Sequence, residues 1–316
     1  MAKYIASKMV MALVALFVTS VVIFLCLHLL PGDMASIIGG NNASAEDLER
    51  IRVQLGLNQP LLLQYRDWLL KFVTGDLGHS SLTGLSISDE VVKKASVTFP
   101  LCLLSLLIAV VLGVLGGLLT GYKQRSSRIF LLVSSTPGIW LGLIFIEVLG
   151  KGMGVLNLLP TSGAVMTTGA LIMPALVCGV ISGARLYRLT VAAVSNSEDD
   201  DYVLNYAAQG FSRRYATYKS GVRSRITPII SSTVLTGAEM ITGVVMLEKL
   251  FVLPGIGSML VTDVMRRDIF KVQSELLLFV ILIISIGFVL DIILGLVDPR
   301  VRQNLEQNRR WHYFGF

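Results

Sequence analysis

The sequence predicts an all-α, polytopic membrane protein of about six transmembrane helices, with both termini cytoplasmic, on three observations. The 316 residues are 53% hydrophobic and only 15% charged, where soluble domains carry about 25% charged residues. Apolar runs recur along the whole chain, each near the ~20 residues that cross a ~30 Å hydrocarbon core. Basic residues collect in alternate joints between those runs, as the positive-inside rule requires.

The runs are Met9 to Leu30, Val97 to Gly121, Ile129 to Gly150, Ala170 to Val194, Ile226 to Leu247 and Leu276 to Val297. The first follows Lys3 and Lys8 as a signal peptide would, but exceeds the usual ~7–15 apolar residues, so a retained span is expected rather than a cleaved leader. Lys123, Arg125 and Arg128 place the second joint inside, with Arg213, Arg214, Lys219, Arg223 and Arg225 after span four in agreement. The tail agrees too, through Arg300, Arg302, Arg309 and Arg310. The fifth joint is discordant: external on this orientation, it carries Lys249, Arg266, Arg267 and Lys271 among Glu248, Asp263 and Asp268. One membrane domain, 1–316, is expected, comprising an N-terminal span (1–30), an external helical segment (31–96), a five-span core (97–297) and a cytoplasmic tail (298–316).

The external segment carries helix punctuation. Ser44 with Asp47 makes a capping box, Gly56 ends that helix, Pro60 opens a second through Tyr65 and Trp68, and Ser88 caps a third leading into span two. It reads either as a folded connector or as a docking element for an external partner. In span two, Gly113, Gly117 and Gly121 leave one face bare for close helix packing. Pro137 and Gly138 in span three, and Pro174, Gly179 and Gly183 in span four, either kink their helices or border a cavity.

Ionisable groups at bilayer depth are costly and face protein or water. Glu239 in span five is read as an interhelical hydrogen-bonding or pathway carboxylate. Arg185 and Arg188 share a face of span four, where they snorkel to lipid phosphate or pair with a carboxylate, Asp291 being the partner expected. Glu147 and Glu248 are read as reaching the outer interface. Isolated groups of this kind do not make a proton relay. Cys26, Cys102 and Cys178 have neither CxxC spacing nor acidic or His neighbours, so no metal site or disulfide framework is indicated. The net charge of +6 is scattered and lacks the aromatic interleaving of a nucleic-acid surface, so no nucleic-acid partner is expected.

The most informative stretch is the cytoplasmic loop 195–225. Ser197-Glu198-Asp199-Asp200-Asp201 complements a helix N-terminus, Ala207 and Ala208 continue the helix, and Gly210 ends it with φ > 0. A short amphipathic helix along the inner membrane surface results. Asp201-Tyr202-Val203, Ala207, Ala208, Gly210, Arg223 and Pro228 here resemble the EAA loop of permease subunits of bacterial ATP-binding-cassette importers for dipeptides, oligopeptides and nickel. The resemblance runs nearly the whole length, through Leu29-Leu30-Pro31-Gly32-Asp33, Leu55-Gly56-Leu57-Asn58-Gln59-Pro60, Gly75-Asp76-Leu77-Gly78, Leu159-Pro160-Thr161-Ser162-Gly163, Glu248 with Pro254-Gly255-Ile256-Gly257, Arg267-Asp268 and Asp298-Pro299-Arg300. It departs at Asn205-Tyr206-Ala207-Ala208-Gln209-Gly210, less basic than the family's pattern, at Ser224, and at Leu253, where a tryptophan is usual.

The resemblance implies a multi-pass permease of the bacterial inner membrane, not itself an enzyme. Its partners would be a homologous second permease, two ATP-binding subunits and an external substrate-binding protein. The loop helix would fit a groove on the ATPase. No G-x-x-x-x-G-K-[ST] loop occurs in the chain, so ATP and Mg would be bound by the partner subunits and no cofactor by this chain. Two rivals remain in view. A secondary transporter would need paired broken helices from inverted repeats. An intramembrane protease would need motifs such as HExxH or GxSxG, which are absent, and His28, His79 and His312 lie far apart. For cargo, di- or oligopeptides are expected, with nickel or a metal chelate as the alternative.

Overall fold

In the computed structural model, residues 2–29, 34–39, 43–80, 82–120, 127–152, 154–163, 169–196, 201–221 and 226–297 are described. All regular elements among them are helical: α1 (Ala2–His28), α2 (Met34–Gly39), α3 (Ala45–Gln54), α4 (Leu61–Val73), α5 (Ile87–Val110), α6 (Gly116–Thr120), α7 (Ser127–Ser135), α8 (Gly138–Leu149), α9 (Ile172–Asn196), α10 (Asp201–Ala208), α11 (Arg213–Ala216), α12 (Ile226–Leu250), α13 (Ile256–Arg266) and α14 (Ile269–Val297). Among the described residues, five stretches are long and apolar enough to span a membrane, Tyr4–His28, Ile87–Thr120, Ile172–Asn196, Ile226–Leu250 and Ile269–Ile293, and a bent pair of helices makes up to six. The bent pair is the predicted span three. Pro137 ends α7 and starts α8 with a 105° bend, so this segment is a broken span or a re-entrant loop rather than a plain crossing.

The chain divides into two compact units, Met1–Val10 with Thr98–Leu253 and Ser285–Phe316, and Met11–Val97 with Pro254–Ile284. In the first, α9 is the central helix, packed by α12, by α7 and α8, and by the α5–α6 stretch. Its glycines do not kink it: α9 is continuous, and Pro174 lies in its first turn, where the missing N–H costs nothing. They serve close approach instead. A Cβ on Gly179 would meet Ile108 Cβ at 2.6 Å, and one on Gly113 would meet Leu186 Cβ at 2.4 Å, so backbones touch where the small residues of the two helices face each other. The α5–α6 stretch carries a π turn at Val111–Leu115 within this seam, which periodicity does not foretell. Near the chain's start, the Tyr4 hydroxyl donates to the Asp291 carbonyl at 3.0 Å, and Lys8 pairs with the Asp291 carboxylate at 2.9 Å.

The second unit holds the short helices. The capping box at Ser44 and Asp47 forms as expected, and Gly56, at φ +69°, closes α3. Leu57 N–H bonds to Arg52 C=O and Gly56 N–H to Val53 C=O, the two bonds of a Schellman cap. Helix α5 starts at Ile87, so Ser88 falls inside its first turn instead of capping it. Tyr65 and Trp68 pack on Phe24 of α1, and the Tyr65 hydroxyl hydrogen-bonds Ser20 at 2.8 Å. Several motifs quoted above prove to be corners: Asp76 accepts from Gly78 N–H at 2.9 Å, and Arg267, at φ +58°, ends α13.

Candidate functional site

The loop after α9 folds as the sequence indicates. Asp201 opens α10, complementing its dipole, and Gly210 takes φ +90° beyond its end. Gly210 N–H bonds to Ala207 C=O at 3.0 Å and Phe211 N–H to Tyr206 C=O at 3.2 Å, again a Schellman cap. The apolar contact that accompanies such caps is Phe211 edge-on to Tyr206, ring centroids 5.8 Å apart. Ser212 then caps α11 by accepting from Tyr215 N–H. Arg223, Ser197 to Asp200 and residues 222–225 lie outside the described residues.

An aromatic clamp, unnoticed in the sequence, locks the two short helices together. Tyr215 stacks on Phe211 at 5.3 Å, and the Lys219 ammonium lies over the rings of Tyr206 and Tyr215 and donates to the Tyr215 hydroxyl at 2.7 Å. That hydrogen bond holds the exposed Lys219 above the ordinary lysine range. The Tyr218 hydroxyl donates to the Leu118 carbonyl on α6, tying the loop to the end of the second span. The signal was available as Tyr206, Phe211, Tyr215 and Tyr218, an unusual aromatic density for a polar loop. On the outside, Ala208 is exposed beside Leu204, Phe211 and Tyr215, each 44–46% exposed, with Arg213 and Arg214 alongside. Val203, Ala216 and Thr217 are fully buried beneath. The loop thus exposes Leu204, Ala208, Phe211 and Tyr215 among polar and basic residues, above a buried base.

The ionisable residues within the spans pair differently from the expectation. Arg185 of α9 bonds Glu239 of α12 at 2.6 Å, and Arg188 donates to Ser134 at 3.2 Å. Asp291 belongs to Lys8 and not to either arginine, because the start of α1, not α9, packs beside the end of α14. Interhelical bonding for Glu239 is therefore present. The pair is also half open, 49% and 48% exposed at its side chains. Arg185, Arg188, Leu189, Ala192 and Asn196 make one exposed stripe on α9, and Leu235, Glu239, Thr242, Gly243 and Met246 another on α12. Arg185, Arg188 and Glu239 thus face away from the packed core of the first unit.

Glu248 does not reach the interface as expected. It is fully buried and accepts from the Thr98 hydroxyl at 2.6 Å. Gly163 N–H bonds to Phe251 C=O at 2.9 Å, and a Cβ on Gly163 would fall 2.1 Å from Leu253, so two of the distant sequence motifs meet here. One discordant charge of the fifth joint, Lys271, has a structural cause. Asp263, Asp268 and Lys271 are each 5% exposed or less, Lys271 pairing with Asp263 at 3.0 Å and with Glu90, and Asp268 accepting from Ser80 at 2.5 Å. Glu275 is fully buried beside Asp263. Lys271 is a neutralised core residue and no topology signal.

Comparison with known families settles the class. The model of the binding-protein-dependent transport system inner membrane component matches residues 105–303, and that of the N-terminal membrane component of such systems matches residues 1–96. The chain belongs to this family. Among its relatives is the glutathione transport system permease protein GsiC of Escherichia coli O6:H1, 32% identical over 308 residues, or 96% of this chain and 99% of that one. GsiC of Escherichia coli K12 is 32% identical, and that of Shigella boydii serotype 4 is 31% identical, over the same shares. A binding-protein-dependent inner membrane component is a multi-pass protein of the bacterial inner membrane, working as the permease subunit of an ATP-binding-cassette importer. Such a system comprises ATPase and substrate-binding partners in addition to the permease.

Proposed function

We propose that this chain forms half of the translocation pathway of an importer for short peptides, beside a homologous second permease, two ATP-binding subunits and one external binding protein. The loop α10–α11 is its coupling element. Asp201, Tyr202, Ala207, Ala208, Gly210 and Arg223 are assigned to docking on the ATPase, which alone binds ATP and Mg. ATP binding draws the two permeases' loops together and favours the packing that opens outward, and hydrolysis restores the other. Nucleotide does this by binding one of two packings better than the other.

The observation that carries this reading is the clamped loop, tied to α6 beneath and exposing Leu204, Phe211 and Tyr215 on its outer side, as suits a surface that passes force to the spans. The half-open stripe with Arg185, Arg188 and Glu239 is assigned to the pathway side, where the second permease or water satisfies it. Peptide cargo is supported by the permeases of similar sequence, whose named substrate, glutathione, is a tripeptide. Among the described residues no group of three His, Cys, Asp or Glu side chains is arranged to hold a bare metal ion. The test is copurification of the partner chains, followed by mass spectrometry of the ligand released from the binding protein. A short peptide is expected, and a metal chelate overturns the cargo assignment.

A further inference from the structure

A cavity of about 560 Å³ opens in the second unit, walled by Phe24, Trp68 and Phe270, with Gln64, Lys71 and Gln273 among its polar residues. Its size lies within the ~300–1,000 Å³ of ligand clefts, and its lining combines aromatic walls with many polar side chains. None of the residues assigned above to coupling or to the pathway lines it.

Two of its buried donors are unsatisfied. Gln273 is 1% exposed, yet its side-chain amide nitrogen has no partner, and the buried indole nitrogen of Trp68 has none either. Lys71, exposed at the rim, makes no ion pair among the described residues. Asp67 is paired with Arg66 at 2.8 Å, while Asp76 accepts one bond, from Gly78 N–H at 2.9 Å, and keeps its charge. Gln64 is likewise committed, donating to the carbonyls of Leu57 and Gln59. A buried unpaired donor is costly unless something fills the role. Two buried donors and an unpaired lysine beside aromatic walls suit a ligand carrying carbonyl or carboxylate oxygens and an apolar body.

We infer that this cavity is a second binding site for short peptides with a free C-terminal carboxylate, on the permease itself and apart from the pathway stripe. The carboxylate meets Lys71, a peptide carbonyl meets Gln273, and side chains lie against Trp68 and Phe270. The inference rests on the peptide cargo proposed above.

The experiment is equilibrium binding of radiolabelled trialanine to the full chain in lipid nanodiscs, without binding protein, beside ATP-driven trialanine uptake by the reconstituted importer. Saturable binding is expected, weakened about tenfold or more by Lys71→Met, by Gln273→Leu or by amidating the peptide's C-terminus. Lys71 is exposed, so its substitution leaves folding intact even where Gln273→Leu does not. Uptake without saturable binding overturns the site and leaves the cargo assignment standing. Binding indifferent to both substitutions places the peptide elsewhere and overturns it equally. Failure of uptake together with failure of binding overturns the cargo assignment and the site with it.

Discussion

Replacing Gly210 separates backbone conformation from bulk at the proposed coupling loop. At φ +90° the residue has no atom within 4 Å of where a Cβ would lie, so Gly210→Ala introduces no clash. Its only cost is the left-handed backbone, about 1–2 kcal/mol for an L-residue. That shifts the balance between the capped and uncapped loop by roughly 5–30-fold. If transport requires the capped form, Gly210→Ala lowers ATP-driven uptake by at most that factor, whereas Gly210→Asn loses less, since asparagine tolerates this region. Gly210→Arg adds bulk at the docking surface and is expected to abolish uptake while membrane insertion is unchanged. The assay is peptide uptake into proteoliposomes holding the whole importer, with insertion followed by the chain's amount in the membrane fraction. Wild-type uptake by Gly210→Arg, or asparagine no better than alanine, refutes the reasoning.

Three further outcomes follow from the packing. Lys271→Met leaves Glu90 and Asp263 without their cation and is expected to destabilise the second unit by about 3–5 kcal/mol, read as increased protease sensitivity. Adding Glu90→Gln and Asp263→Asn restores most of that stability, and an unchanged single variant refutes the buried pairing. Gly179→Ala forces apart helices already in backbone contact and costs about 1–3 kcal/mol, measured as a lower unfolding temperature, while Gly179→Leu prevents accumulation. For Arg185 and Glu239, either single neutralisation should lower uptake more than both together, since each leaves the other charge unpaired, and strictly additive losses contradict the pairing.

What the sequence disclosed followed from periodicity and local chemistry. Run length with the placement of arginines revealed the spans, and Ser44, Gly56 and Gly210 revealed helix ends because caps depend on neighbours within a few residues. Partners distant in sequence stayed hidden. Nothing local told that Asp291 answers Lys8 across the chain, or that Glu239 and not Asp291 would reach Arg185. The glycines of α9 read as breaks because sequence shows a missing side chain and not the neighbouring backbone that fills its place. Lys271 read as a loop charge because its two carboxylates come from α5 and α13. Pro137 was visible as an interruption, but the 105° angle depends on what packs around it. In the loop the helix was legible and its aromatic clamp was overlooked, although Tyr206, Phe211 and Tyr215 stand close enough in sequence to suggest it.

The central claim is that this permease is driven through α10–α11 by a separate ATPase, and reconstituted uptake tests it most directly. The chain is placed in proteoliposomes with and without the second permease, the ATP-binding subunits and the binding protein, and trialanine uptake is followed with ATP or with an ion gradient. The expected result is uptake only from the complete assembly with ATP. Gradient-driven uptake by this chain alone would contradict the account and return it to a secondary transporter.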